Sequence, residues 1–312
     1  MGVAVLSGVL STIHEIQASQ KPNGLPGKAN GIEPSPTPET SQALNGDLDS
    51  LPSAYIATVA REESARRLSK TFKDVSGGGD VQIQAGKNID AASRADVILL
   101  CCKPQMAHSI LTEEGMAEAL EQKLLISILA GTTIKQLQSW VPGSTRVVRA
   151  MPNTPCKIRE GMTVVTPPSP SSSLCTFDRK ILTSMFNPIG RCRFLEEKHF
   201  DACTALSGSG PAFACLVLEA MADGGVMMGL PRSEALELAA QTMQGAARMV
   251  LQSGSHPATI KDSVTTPGGC TIAGLLTLED GKVRSTIARC IQVATQHAAG
   301  LGSAHDPSGY RR

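Results

Sequence analysis

Two glycines stand where a helix is about to begin in the run Pro257–Glu279, PATIKDSVTTPGGCTIAGLLTLE. A Ser/Thr-rich loop passes through Pro267-Gly268-Gly269 into a helical pattern that starts near Thr271. Glycines there leave backbone N–H groups unobstructed, and the helix dipole adds partial positive charge. Such an end binds a carboxylate or a phosphate without an arginine. The hydroxyls of Thr265, Thr266 and Thr271 offer further donors. An ordinary capped helix after a Pro-Gly turn uses the same residue types, so this spacing alone leaves both readings open.

Four further segments could carry chemistry. Ala205–Ala214, ALSGSGPAFA, is a tight joint running into a helix whose first turn takes Pro211. Cys102-Lys103-Pro104-Gln105 closes a continuous apolar strand, and ligands of open α/β sheets bind beyond the carboxyl ends of strands. Met151-Pro152-Asn153-Thr154-Pro155 also follows a strand; its prolines stiffen the loop and Asn153 offers a donor and an acceptor. Arg61 stands just after a strand, where an acidic residue would grip a ribose 2′-OH; a cation there favours a 2′-phosphate, although a surface helix charge looks the same. The six histidines show no metal-ligand spacing, and no metal site is expected.

The elements that must position these residues fall into two kinds. Apolar residues recur at helical spacing from Gly2 to about Ser19, and residues 21–53 are rich in Pro, Gly, Ser and Thr, predicting a disordered linker. Strands are expected at 55–59, 81–83, 97–102, 124–129, 146–150, 161–166 and 191–195, with helices at 61–72, 90–94, 105–121 and 132–140 and a Pro/Ser loop at 167–173. Apolar strands alternating with helices predict a parallel, doubly wound α/β sheet. From about Lys198 to residue 300 the pattern is helical and rich in Ala, Met, Gly and Leu, and a polar tail ends the chain. One copy would struggle to bury that much small apolar surface, so a partner chain is expected.

The totals narrow the class. With 312 residues, the chain has room for two domains: residues 1–197, and 198–300 followed by a tail at 301–312. A net charge of +1 gives no electrostatic footprint for nucleic acid or an anionic membrane, and 3% aromatics leaves little for base stacking. No stretch reaches the ~18 apolar residues needed to span a bilayer, and no basic flank marks a signal peptide. Nine cysteines without a CxxC pair read as reduced thiols, predicting a cytoplasmic protein.

Taken together, HPATIKDSVTTPGGCTIAGLLTLE, ALSGSGPAFACLVLEAMADGGVMMGLPRSEA, CCKPQ, SILAGTTI and MPNTP resemble, in order and spacing, the pyrroline-5-carboxylate reductases, in particular those of fungal type. The resemblance covers essentially the whole chain outside 21–53 and the tail. It implies a Rossmann-type doubly wound domain followed by an all-helical dimerisation domain, which pairs with a second copy as a homodimer or within a higher oligomer. The implied reaction is NADPH-dependent reduction of pyrroline-5-carboxylate to proline, with NADH as the other possible donor. The substrate carboxylate would lie on the amides of Gly269, Cys270 and Thr271, with Ser263, Thr266 and Gly268 close by and Thr271 the catalytic residue at the ring. Ser263 departs from the Asn that many members carry. The cofactor would lie over Cys101, Lys103, Pro104, Ala130 and Asn153, with Arg61 and Asn88 toward the adenosine phosphate and Gly2 at the pyrophosphate.

Members of that family open with an apolar strand and a Gly-rich turn. Here Met1-Gly2 matches the end of that turn, so the expected sheet is N-terminally truncated, and a shortened gene model accounts for it better than a genuine short isoform. A chain of this kind should bind NADPH poorly and aggregate readily. The competing readings are a non-catalytic dimeric scaffold or regulator, and another imine or β-hydroxyacid reductase of the same plan.

Overall fold

The computed structural model describes residues 1–19, 52–75, 81–170 and 172–303. The expected linker lies outside the described residues except for Pro52 and Ser53, as does the tail beyond Ser303. By contact density the chain forms two compact units, Met1–Thr204 with the residues from Ala298, and Ala205–His297.

Among the described residues of the first unit, seven strands make two sheets. β1 (Tyr55–Val59) and β2 (Val81–Ala85) pair in parallel, Tyr55 opposite Val81. The second sheet has the order β3 (Val97–Leu100), β4 (Leu124–Ser127), β5 (Arg146–Met151), β6 (Gly161–Val165), β7 (Gly190–Phe194). β3, β4 and β5 are parallel, with Val97 opposite Leu124 and Leu124 opposite Arg146. The all-parallel expectation is corrected at β6, which runs antiparallel to β5. Only a 3-10 turn at Thr154–Ile158 joins those two strands, and a connection that short allows no parallel crossover. β6 and β7 are parallel, and the link between them includes a helix, α7 (Cys175–Phe186), that the Pro/Ser loop at 167–173 had obscured.

Burial explains the arrangement. β4 is buried at every position, as the middle of a covered sheet requires. The helix α1 (Gly2–Ser19) serves both sheets: Val5 and Val9 share a core with Leu124, Ile126 and Val148, while Leu10 packs with Phe72 and Val81. α2 (Glu62–Lys73) and α3 (Asn88–Arg94) follow β1 and β2. The single helix expected at 105–121 is two, α4 (Pro104–Leu111) and α5 (Met116–Leu120), parted where Gly115 adopts φ +87°. α6 (Ile134–Gln138) follows β4 and is shorter than expected.

The second unit is helical, as the composition predicted. The short helix α8 (Phe200–Cys203) still belongs to the first unit; after it come a π-turn at Thr204–Gly208, then α9 (Gly210–Met227), α10 (Arg232–Ser253), α11 (Pro257–Ser263), α12 (Cys270–Asp280) and α13 (Val283–Ser303), whose residues from Ala298 fall in the first unit. α9 and α10 meet through Ala222, Ala235 and Ala239, with Leu218 and Val226 against them. The helical run Glu197–Met227 is long and apolar enough, by length and composition, to cross a membrane. That corrects the expectation that no stretch would be; the run also carries many Ala, Gly and Met residues, small or flexible ones suited to close helix packing.

Candidate functional site

In the helical unit, α11 ends at Ser263 and the chain turns back through Gly268 before α12 begins. Gly268 sits at φ +67°, a conformation costly for any residue with a Cβ, which is why glycine stands there. The Gly269 N–H donates to the Thr266 carbonyl at 3.1 Å and closes the turn. A Cβ on Gly269 would collide with Thr266 Oγ1, so a side chain here would require the threonine to turn away. Gly269 is the N-cap of α12, and no side chain caps the helix. The amides of Cys270, Thr271 and Ile272 precede the first intrahelical bond and form the positive end of an 11-residue helix. Ile272 was not singled out from the sequence; only the closing of the turn by Gly269 shifts the available amides one residue along.

The hydroxyls near this turn are less available than the sequence suggested. Ser263 Oγ donates to the Ile260 carbonyl and Thr265 Oγ1 to the Lys261 carbonyl, both at 2.7 Å. Each keeps its lone pairs but has spent its proton. Thr271 is half-buried, and Ser263, Thr266, Gly268 and Cys270 are exposed. His256 caps α11, its Nδ1 accepting from the Ala258 N–H at 3.2 Å.

In the sheet unit, the remaining candidates follow the carboxyl ends of five parallel strands. Exposed Arg61 comes two residues after β1, and half-buried Asn88 is the first residue of α3 after β2. After β3, Lys103 is the exposed N-cap of α4 and Pro104 its first residue, the position where a missing N–H costs nothing. Ala130 is exposed in the loop after β4. Asn153 follows β5 and is buried; its Oδ1 accepts the Met162 N–H at 2.9 Å, so its carbonyl fastens the start of β6. No sequence signal marks that bond, because it spans the turn that reverses β5 into β6.

Gly2 and Cys101 are brought together. A Cβ on Gly2 would lie 2.7 Å from Cys101 Sγ, so the start of α1 rests on the residue after β3. Cys101 is exposed as a residue, but its Sγ lies against Gly2, and burial on that side pushes the thiol up to about 12. It is a neutral contact surface, not a nucleophile. The first α1 bond runs from Val5 N–H to Met1 O at 3.1 Å, leaving the amides of Gly2, Val3 and Ala4 unpaired within the helix. A side-chain-free residue, a helix start and the strand-end loops fit an extended ligand bearing phosphates along that edge. Among the described residues, no group of three or more His, Cys, Asp or Glu side chains is placed to hold a metal ion.

The family model described as pyrroline-5-carboxylate reductase dimerisation matches residues 197–301, and that described as NADP oxidoreductase coenzyme F420-dependent matches residues 40–131. A pyrroline-5-carboxylate reductase of Lophium arboricola is 47% identical over 97% of this chain and 90% of its own length. One from Schizosaccharomyces pombe is 51% identical over 81% of this chain and 87% of its own. Among solved structures, the Plasmodium falciparum pyrroline carboxylate reductase with NADP bound superposes with a TM-score of 0.67 at 28% identity, covering 80% of this chain and 98% of that one. A pyrroline-5-carboxylate reductase of Coxiella burnetii gives a TM-score of 0.69 at 27% identity, over 80% and 99% of the two chains.

Proposed function

The chain belongs to the pyrroline-5-carboxylate reductase family, and from that premise we propose that it reduces L-1-pyrroline-5-carboxylate to L-proline with NADPH as hydride donor. The observation that carries this reading is the uncapped start of α12, where the Gly268 turn presents the Cys270 and Thr271 amides to a carboxylate. The scaffold and hydroxyacid alternatives are not favoured by relatives of this identity and coverage.

The substrate carboxylate lies on those amides, with Gly268, Gly269 and Thr266 shaping the approach and Ser263 at its edge. Thr271 is the hydroxyl that faces the imine ring and acts as the catalytic residue. A protonated imine is already electrophilic, so the residues need mainly to hold and orient it. The bound cofactor supplies the hydride that reduces the C=N carbon. Lys103, Pro104, Cys101, Ala130 and Asn153 hold it along the strand ends, Gly2 meets its pyrophosphate, and Asn88 and Arg61 lie toward the adenosine. The exposed Arg61 cation after β1 supports NADPH over NADH. The exposed apolar faces of the helical unit support a homodimer, alone or within a higher oligomer. Nine unpaired cysteines support a reducing, cytoplasmic setting.

Steady-state oxidation of NADPH with pyrroline-5-carboxylate, set against NADH, tests the reading. Proline should form in step with oxidised cofactor. A chain that binds NADPH yet forms no proline would sink it.

A further inference from the structure

Arg149 lies in β5 and is only 8% exposed. Its Nη1 donates to Glu197 Oε1 at 2.7 Å, and its guanidinium sits 4.9 Å from the centre of the Phe200 ring. The same Glu197 oxygen accepts the Ile134 N–H at 2.8 Å. Ile134 is the first residue of α6, where backbone donors lack helical partners. The local capping box is already engaged: Thr133 Oγ1 accepts the Gln136 N–H, and Gln136 Oε1 accepts from Thr133. One carboxylate oxygen 63 residues away in sequence therefore satisfies the first of the two donors, Ile134 and Lys135, that the box leaves over.

This bond joins two segments that carry cofactor candidates. The loop from β4 into α6 contains Ala130, and β5 leads directly to Asn153. Glu197 itself belongs to neither loop. Arg149 is buried but the Glu197 side chain is a third exposed, and an ion pair in that setting is a poor source of stability, since solvent screens it and apolar residues of similar volume hold a fold about as well. What such a pair adds is a fixed geometry, here one oxygen shared by a donor at the start of α6 and a donor from β5.

We propose that Glu197 is a positioning residue: its carboxylate locks the loop after β4 against Arg149 of β5, preorganising the stretch that carries Ala130 for the nicotinamide cofactor. The inference rests on the cofactor reading above and deepens it. Three variants of the full chain test it: Glu197→Gln, Glu197→Ala, and the double apolar replacement Arg149→Met with Glu197→Leu. NADPH affinity is read by direct fluorescence titration without substrate, and protection of the Ile134 amide by hydrogen exchange without cofactor.

In the double variant, thermal stability stays at or above that of the parent while the NADPH Kd rises about tenfold and Ile134 exchanges faster. Glu197→Ala weakens NADPH binding too, and Glu197→Gln, which retains an acceptor, falls between parent and Ala in both readouts. At saturating NADPH, kcat stays within about twofold, because the residue acts on cofactor placement and not on the imine. An unchanged Kd in the double variant overturns the proposal whatever its stability. Should that variant not fold, an unchanged Kd in Glu197→Gln overturns it equally. A parent chain that binds no NADPH overturns the cofactor reading and this inference together, whereas normal binding by the variants overturns this inference alone.

Discussion

The two units bury their apolar residues to very different degrees. The sheet unit encloses Phe72, Phe186, Phe200, Leu120, Leu124 and Leu125 at 2% exposure or less. The helical unit buries little beyond Ala222, Ala235 and Ala239, and leaves Leu238 57%, Leu276 59% and Val293 63% exposed. A sheet covered by helices completes its core within one chain. Long helices joined through small alanines do not; their outward leucines, methionines and valines wait for another surface. The contrast separates what one copy stabilises alone from what assembly must stabilise.

The largest effect should come from the sheet unit. Phe186→Ala empties a fully buried site on α7 and should cost about 3–5 kcal/mol in chemical denaturation. Comparable losses from Leu276→Ala in dilute, dissociated protein would erase the contrast, because a side chain that exposed should cost no more than ~0.5 kcal/mol. Next comes assembly. Leu238→Asp should leave the monomer fold intact but weaken self-association about a hundredfold, followed by sedimentation across a concentration series, since it buries an unpaired charge at the interface. Self-association as strong as the parent's would place the interface on another face.

A smaller pair of effects divides the chemistry between the units. Thr271→Val should raise the KM for the pyrroline about tenfold with NADPH affinity unchanged, and Lys103→Ala should do the reverse by a similar factor. Both substitutions shifting the same constant would refute that division. The smallest effect at neutral pH concerns the thiols. Burial pushes Cys101 and Cys192 up to about 12, so both stay neutral well above pH 8. A pKa raised by folding contributes stability that is complete below the unfolded thiol's value and is lost as pH rises toward 12. The melting temperature should therefore show no loss from these thiols near neutrality and fall above about pH 9, and labelling of Cys101 at pH 8 should be slow. Rapid labelling would show that α1 does not cover the sulfur.

Much of this architecture was legible in order. Val97–Leu100 and Leu124–Ile126 are unbroken apolar runs, and Ala-rich helical periodicity after Lys198 marked the second unit. Other features were hidden for definable reasons. α7 carries Asp178, Ile181, Leu182 and Phe186 buried at helical spacing, but a buried aspartate breaks the apolar signature. Its burial makes sense only with Arg146, 32 residues away, whose Nε meets Asp178 Oδ2 at 2.7 Å. The reversal at β6 likewise turns on how short the link is, not on any strand residue.

For the candidate site, the motif PGGCT located the helix start, and the strand ends located the other loops. The hydrogen bonds that decide which groups remain available all span turns or distant segments. Gly269 uses its amide within the turn, Asn153 its side-chain carbonyl on β6, and Glu197 one oxygen on both the start of α6 and Arg149 of β5.

What the sequence determined by itself was the alternation of strand and helix, the glycines that only certain turns accept, and the family those motifs define. Periodicity and backbone permissiveness are local properties, and a linear chain displays them. What only the tertiary structure decided was partnership: α1 lying under both sheets, Gly2 pressed on Cys101, and Glu197 bridging Arg149 and Ile134. A donor and an acceptor find each other through folding in three dimensions, and neither residue carries the other's address in its type or spacing.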